Sequence, residues 1–204
     1  ALGPDRERWE AMSKELAKCY STNFAFSAYT GVLDPAYKDG ARIAGEFTLL
    51  PPVLREWRYR VDRDQKGAEL GWAKPDCDER EWQTTDICAD TWADLGLYGY
   101  FGGVWYRVGF PLPAIPAGKK IYLWVSGADD TCRLFVNGQA VSIPDMKGGA
   151  QAEARGYRTP FSFDITAAAK PGVTNRIAIL SSRSDLNELG TGGLLGPVMF
   201  YRDK

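Results

Sequence analysis

No histidine occurs among the 204 residues. That absence excludes Ser-His-Asp and Cys-His catalysis, His-ligated zinc and histidine general-base chemistry together. The four cysteines, Cys19, Cys77, Cys88 and Cys132, are scattered, and none forms the C-x-x-C pair that zinc and redox motifs use. A Cys77–Cys88 disulfide across a loop and free, buried thiols are both open readings. Cys132 alternates in phase with Leu134 and Val136 and reads as core. There is no lysine or arginine run, and 25 basic residues face 26 acidic ones, so no phosphate-tracking surface and no nucleic-acid partner is expected. No stretch approaches the roughly 20 apolar residues of a bilayer span. The opening residues, ALGPDRERWEAM, lack the charged-then-apolar pattern of a signal peptide. The first residue is not methionine, as expected of a mature or excised piece of something longer.

What the chain does contain is a core's worth of apolar residues, 45% with 13% aromatic, enough for one main domain with an appendage. In PDRERWEAMSKELAKCY, Trp9, Met12, Leu16 and Cys19 fall at helical spacing, with Pro4 and Asp5 suited to a first turn. Periodicity is lost from Ser21 to Leu50, and LLPPV follows. The expected division is a helix and linker over residues 1–50 and a β-sandwich over 51–204.

Beyond REWRYRV the chain becomes a series of short alternating segments separated by turn residues, the pattern of an antiparallel sandwich. Val104, Tyr106, Val108 and Phe110 share a face, as do Ile121, Leu123 and Val125; Phe161, Phe163 and Ile165; and Ile177 and Ile179. Asn137-Gly138 is a tight-turn signal, and KPGVTN another reversal. In an up-and-down tour every second connection lies at the same end. Connections 92–103, 127–131, 143–159 and 183–196 then meet at one end, and the two short turns lie at the other. Long loops gathered on a rigid sandwich are the expected place for a binding site.

The segments GWAKPDCDEREW, YGYFGGVWYRVGFPLP, KIYLWVSGADDTCRLFVNGQAV, RTPFSFDIT, GVTNRIAI and GTGGLLGPV follow one another in a telling order. From about Trp57 to Arg202 the chain resembles the jelly-roll, galactose-binding-like sugar-binding domain of family 2 glycoside hydrolases and related carbohydrate-binding modules. The resemblance implies an all-β antiparallel jelly roll. For function it implies a non-catalytic carbohydrate-binding or ancillary module of a multidomain polysaccharide-degrading enzyme, secreted, periplasmic or at the cell surface. The alternatives are a purely architectural arm packed on a catalytic domain of the same polypeptide, or a small glycosidase in its own right. The (β/α)₈ barrel that those hydrolases use for catalysis needs about 250 residues, so a complete family 2 hydrolase does not fit.

A sugar site needs a flat aromatic face for the apolar side of a pyranose and planar polar groups for its hydroxyls. The loop end supplies Trp92, Tyr98, Tyr100, Phe101, Arg155, Tyr157, Arg183, Asp185, Asn187 and Glu188 as candidate ligand-binding residues. Arg158 joins the two other arginines in suiting an anionic sugar such as a uronate. Trp82, Trp105 and Trp124 read as packing residues, and Arg107 as the partner of a sandwich carboxylate. Asp129, Asp130, Asp185 and Glu188 are the carboxylates a glycosidase would need; Asp129 and Asp130 also read as shaping a turn through local side-chain bonds. The resemblance leaves a structural Ca²⁺ open, although no contiguous loop of alternating acids names its ligands.

Overall fold

Where apolar residues alternate, the chain forms strands, and every strand pairing is antiparallel. A computed structural model describes residues 39–204 except 41, 44, 146, 158 and 185–191, with the Val53 side chain also left aside. The expected helix of residues 4–20 and most of the linker fall outside the described residues. In chain order the strands are β1 (Phe47–Leu54), β2 (Glu56–Asp62), β3 (Gln83–Asp86) and β4 (Gly102–Pro111). Next come β5 (Ile121–Val136), β6 (Gln139–Val141), β7 (Ile143–Pro144) and β8 (Ala150–Gln151). The last four are β9 (Ala154–Gly156), β10 (Phe161–Asp164), β11 (Thr174–Arg183) and β12 (Gly193–Asp203). Sheet pairing begins at Phe47, opposite Asp203, ahead of the boundary expected at residue 51.

One long strand, β5, pairs with different partners along its two halves. From Ile121 to Asp129, β5 pairs with β12, and over Tyr122–Val125 also with β10; from Thr131 it pairs with β11, then β6. The full order is β1-β12-β5-β11-β4-β2-β3, so the chain folds into an antiparallel β-sandwich with β5 crossing between its layers. Leu123, Val125 and Phe200 from one layer meet Val104, Tyr106, Phe110, Ile177 and Ile179 from the other in a single buried cluster. Phe110 lies flat on Phe200, centroids 3.6 Å apart and planes 5° apart.

The crossing corrects one expectation. Residues 127–131 are not a loop: Gly127, Ala128, Asp129, Asp130 and Thr131 are buried strand residues. The chain bends at Asp130, whose φ of 85° is one that aspartate tolerates better than most side chains. The acids do not make local turn bonds either. Asp129 accepts the Gly192 N–H, and Asp130 Oδ2 accepts both the backbone N–H and the hydroxyl of Ser184, at 2.8 Å each. Each carboxylate has its Oδ2 held by donors distant in sequence, which offsets part of the cost of burying it inside a strand.

The face of β4, β11 and β5 turned away from the sandwich core is also covered. The connection from β2 to β3 lays Trp72 and Trp82 over Trp105, Ala178, Phe135 and Leu180. Arg107 secures it: only 1% exposed, the guanidinium pairs with Glu79 at 2.8 Å and donates to the carbonyls of Trp72 and Lys74. Trp124 is buried on the outer side of the other layer, where its Nε1 donates to Asp39 at 2.8 Å. All three tryptophans expected to pack do so. Cys77, Cys88 and Cys132 are free thiols, so Cys77 and Cys88 are not bridged; burial pushes the Cys77 and Cys132 thiols up and keeps them protonated.

At the short-turn end, Val136 pairs with Gln139 around Asn137 (φ 52°) and Gly138 (φ 84°). Both positive values make this the I′ geometry expected from the dipeptide. The Asn137 carboxamide donates to Ala168 O and to Asn175 and accepts from the Arg176 N–H, tying three segments together. A Cβ at Gly138 would have to hold a left-handed φ and sit 3.2 Å from Pro75. Gly138→Ala is therefore expected to cost about 1–2 kcal/mol, read as a lower denaturant midpoint at unchanged m-value; an unchanged midpoint would contradict the turn assignment.

Candidate ligand cleft at the loop end

Strand register builds the floor of a cleft. Thr131, Ser182, Gly103 and Asp62 lie side by side across β5, β11, β4 and β2, and Arg133, Leu180 and Trp105 form the next row. Glu153 and Arg155, at β9, rise over one side because β9 pairs with β5 at Thr131 and Cys132. Gln65 and Ala68 close the other side, and Gly102, Arg183 and Ser184 the end. The enclosed volume is about 440 Å³, within the range of small-ligand pockets.

Buried acids organise this wall. Asp62 accepts from the Trp105 indole at 2.8 Å and from the backbone N–H groups of Lys66 and Gly67. Asp130 holds Ser184 through one oxygen and Arg155 through the other, the ion pair being 3.1 Å long. Arg155 is 56% exposed while Asp130 is 1% exposed, so the carboxylate anchors a guanidinium whose outer donors face the cleft. Arg133 reaches toward Glu153 at 3.8 Å, both half exposed.

The loop-end candidates separate into three groups. Phe101 is 45% exposed with the Arg183 guanidinium 4.9 Å from its ring centre, and Arg155 and Arg183 line the cleft beside it. Tyr98 is 92% exposed, projecting from the 92–103 connection. Trp92, expected at the ligand surface, lies beneath it instead, 1% exposed, its indole N–H donating to the Tyr106 hydroxyl at 2.8 Å. Tyr100 tilts against Trp92 at 5.5 Å, with Arg63 over its other side. Burial, then the Asp62 carboxylate, holds the Tyr100 phenol above its ordinary value. Its hydroxyl folds back over Gly102, where any Cβ would collide with it. Tyr157 is half-buried, and the backbone beside it comes close to Gly127. Arg158, Asp185, Asn187 and Glu188 lie outside the described residues.

Aspartate 130, Thr131, Arg133, Glu153, Ser182 and Ser184 are cleft residues that the sequence reading does not select for binding. Only the strand register, which composition does not reveal, brings them together. Among the described residues no group of three or more acidic or cysteine side chains is placed to hold a metal ion. Asp129 and Asp130 are both buried and accept from Gly192 and Ser184 respectively.

Comparison with known proteins places this architecture. No family model matches the chain. A β-glucuronidase of Paenibacillus borealis is 32% identical over 125 residues, 61% of this chain and 19% of that protein. A β-galactosidase of Thermoanaerobacter pseudethanolicus is 31% identical over 98 residues, 48% of this chain and 12% of that protein. The solved structure of a β-glucuronidase from glycoside hydrolase family 2 superposes on 77% of this chain and 18% of its own, with a TM-score of 0.58 at 19% identity. The chain is similar to part of a β-glucuronidase and to part of a β-galactosidase, and it shares its fold with part of a family 2 β-glucuronidase structure. It spans less than a fifth of the length of these relatives. The chain is a β-sandwich, as the sequence resemblance implied.

Proposed function

We propose that this chain is a non-catalytic module of a larger polysaccharide-degrading glycoside hydrolase and holds a glycan in the loop-end cleft. The observation that carries the reading is a 440 Å³ cleft walled by Arg155, Arg133, Ser182 and Thr131, with the half-exposed Phe101 ring against Arg183 of the same wall. An aromatic face and fixed planar donors are the two things a pyranose requires. The enzyme's outside location follows from the same reading, since polymeric glycans are met outside the cell. Phe101→Ala is expected to weaken binding of a glycan identified by array screening about fivefold, the weight of one aromatic contact, with no change in thermal midpoint. Wild-type affinity in that variant, measured by calorimetry, would remove the rim from the site.

A second reading is favoured by Tyr98, exposed almost completely on the same connection. Two neighbouring exposed aromatics suit a seat for a catalytic domain of the same polypeptide. Under that reading the isolated chain binds no glycan, and in the longer polypeptide Tyr98 becomes protected from solvent, which hydroxyl-radical footprinting would detect.

A further inference from the structure

Resting on the glycan reading above, we infer that the cleft selects uncharged sugars and discriminates against uronates and sulfated units. Three arginines at one surface suggest an anion site, yet each is already matched within the wall. Arg155 is paired with buried Asp130 at 3.1 Å. Arg133 faces Glu153 at 3.8 Å. Arg183 is 4% exposed and lies over the Phe101 ring. The side chains lining the cleft carry three carboxylates, Asp62, Asp130 and Glu153, against those three guanidinium groups. The adjoining turn sets Arg63 and Lys66 against Asp64 and Glu69. Among the described residues a bound carboxylate would therefore meet no surplus positive charge.

An anion entering this wall would also lose water with little to gain from Arg155 and Arg133, whose charges are already matched by Asp130 and Glu153, while Arg183 is buried over the Phe101 ring. Hydroxyl groups suffer no such loss. Paired guanidinium groups keep outward N–H donors for sugar oxygens, while Glu153, 46% exposed, supplies an acceptor for sugar O–H groups and repels anions. Neutral hexoses match that mixture of donors and one accessible acceptor.

The test is calorimetry of the 204-residue chain against glucose-, galactose- and mannose-based tetrasaccharides and against uronic-acid tetrasaccharides, at low and high salt. At least one neutral set is expected to bind about tenfold more tightly than any uronate, with little salt dependence. Tighter uronate binding that weakens with salt overturns the inference while leaving the glycan reading intact. Binding of neither class overturns the glycan reading, and this inference with it. As a second arm, Glu153→Gln at an exposed position is expected to raise uronate affinity about threefold, the scale of an exposed charge interaction. No gain there would refute the charge-matching argument.

Discussion

Replacing Asp130 with alanine is expected to dissolve the cleft and to lower stability by about 3 kcal/mol, the cost of withdrawing a buried, charge-assisted acceptor from its donors. The Ser184 N–H would be left without its acceptor, Arg155 would lose its anchor, and alanine would have to hold the φ of 85° at which β5 bends. Glycan affinity should fall at least tenfold, because the 184 segment and Arg155 are no longer held. Asp130→Asn separates the contributions. Asparagine tolerates the left-handed backbone and still accepts from Ser184, but it frees the charge of Arg155. Its stability loss should be about 1 kcal/mol, the weight of the ion pair and little more. Equal losses for the two variants in urea melts would show that the carboxylate geometry is immaterial.

The second large effect is expected at Arg107. Arg107→Ala removes a guanidinium that is 1% exposed, partners Glu79, caps two carbonyls and lies 5.7 Å from the centre of the Trp82 ring. Breaking a buried pair costs about 3–5 kcal/mol, and the lower end applies because Glu79 is partly hydrated. For a domain of this size that corresponds to a fall in Tm of roughly 6–12 °C. Tryptophan fluorescence should shift to the red in the folded state as Trp72 and Trp82 loosen. A variant with a wild-type Tm and emission spectrum would show that the tryptophan cover is held by apolar packing alone.

The sandwich was legible because its inner positions repeat every second residue, as in Val104, Tyr106 and Phe110 or Ile177 and Ile179. Burial of Trp105, Trp82 and Trp124 also agreed with their reading as packing residues. The continuity of β5 was not legible. A run of Ser, Gly, Ala, Asp, Asp and Thr has the composition of a turn, and its acids belong in a strand only because Ser184 and Gly192 supply their hydrogen bonds. Those partners lie more than fifty residues away. Counting connections put Phe101, Arg155 and Arg183 at one end, but the count took residues 127–131 for a connection, and they are the middle of β5. The wall of the cleft did not follow. Thr131, Ser182 and Glu153 enter it through cross-strand register, which sequence patterning leaves open. Trp92 differs from Phe101 only in what covers it, a distinction that residue type alone does not carry.

The pairing of Phe47 with Asp203 puts the entrance and exit of the sandwich side by side on neighbouring antiparallel strands. Tension applied between those two points would load the β1–β12 ladder at its open end, one hydrogen-bonded pair at a time, as a zipper is opened. The first losses are the pairs Phe47–Asp203 and Thr48–Arg202, while the loop-end cleft, walled by β5, β11 and β4, stays assembled.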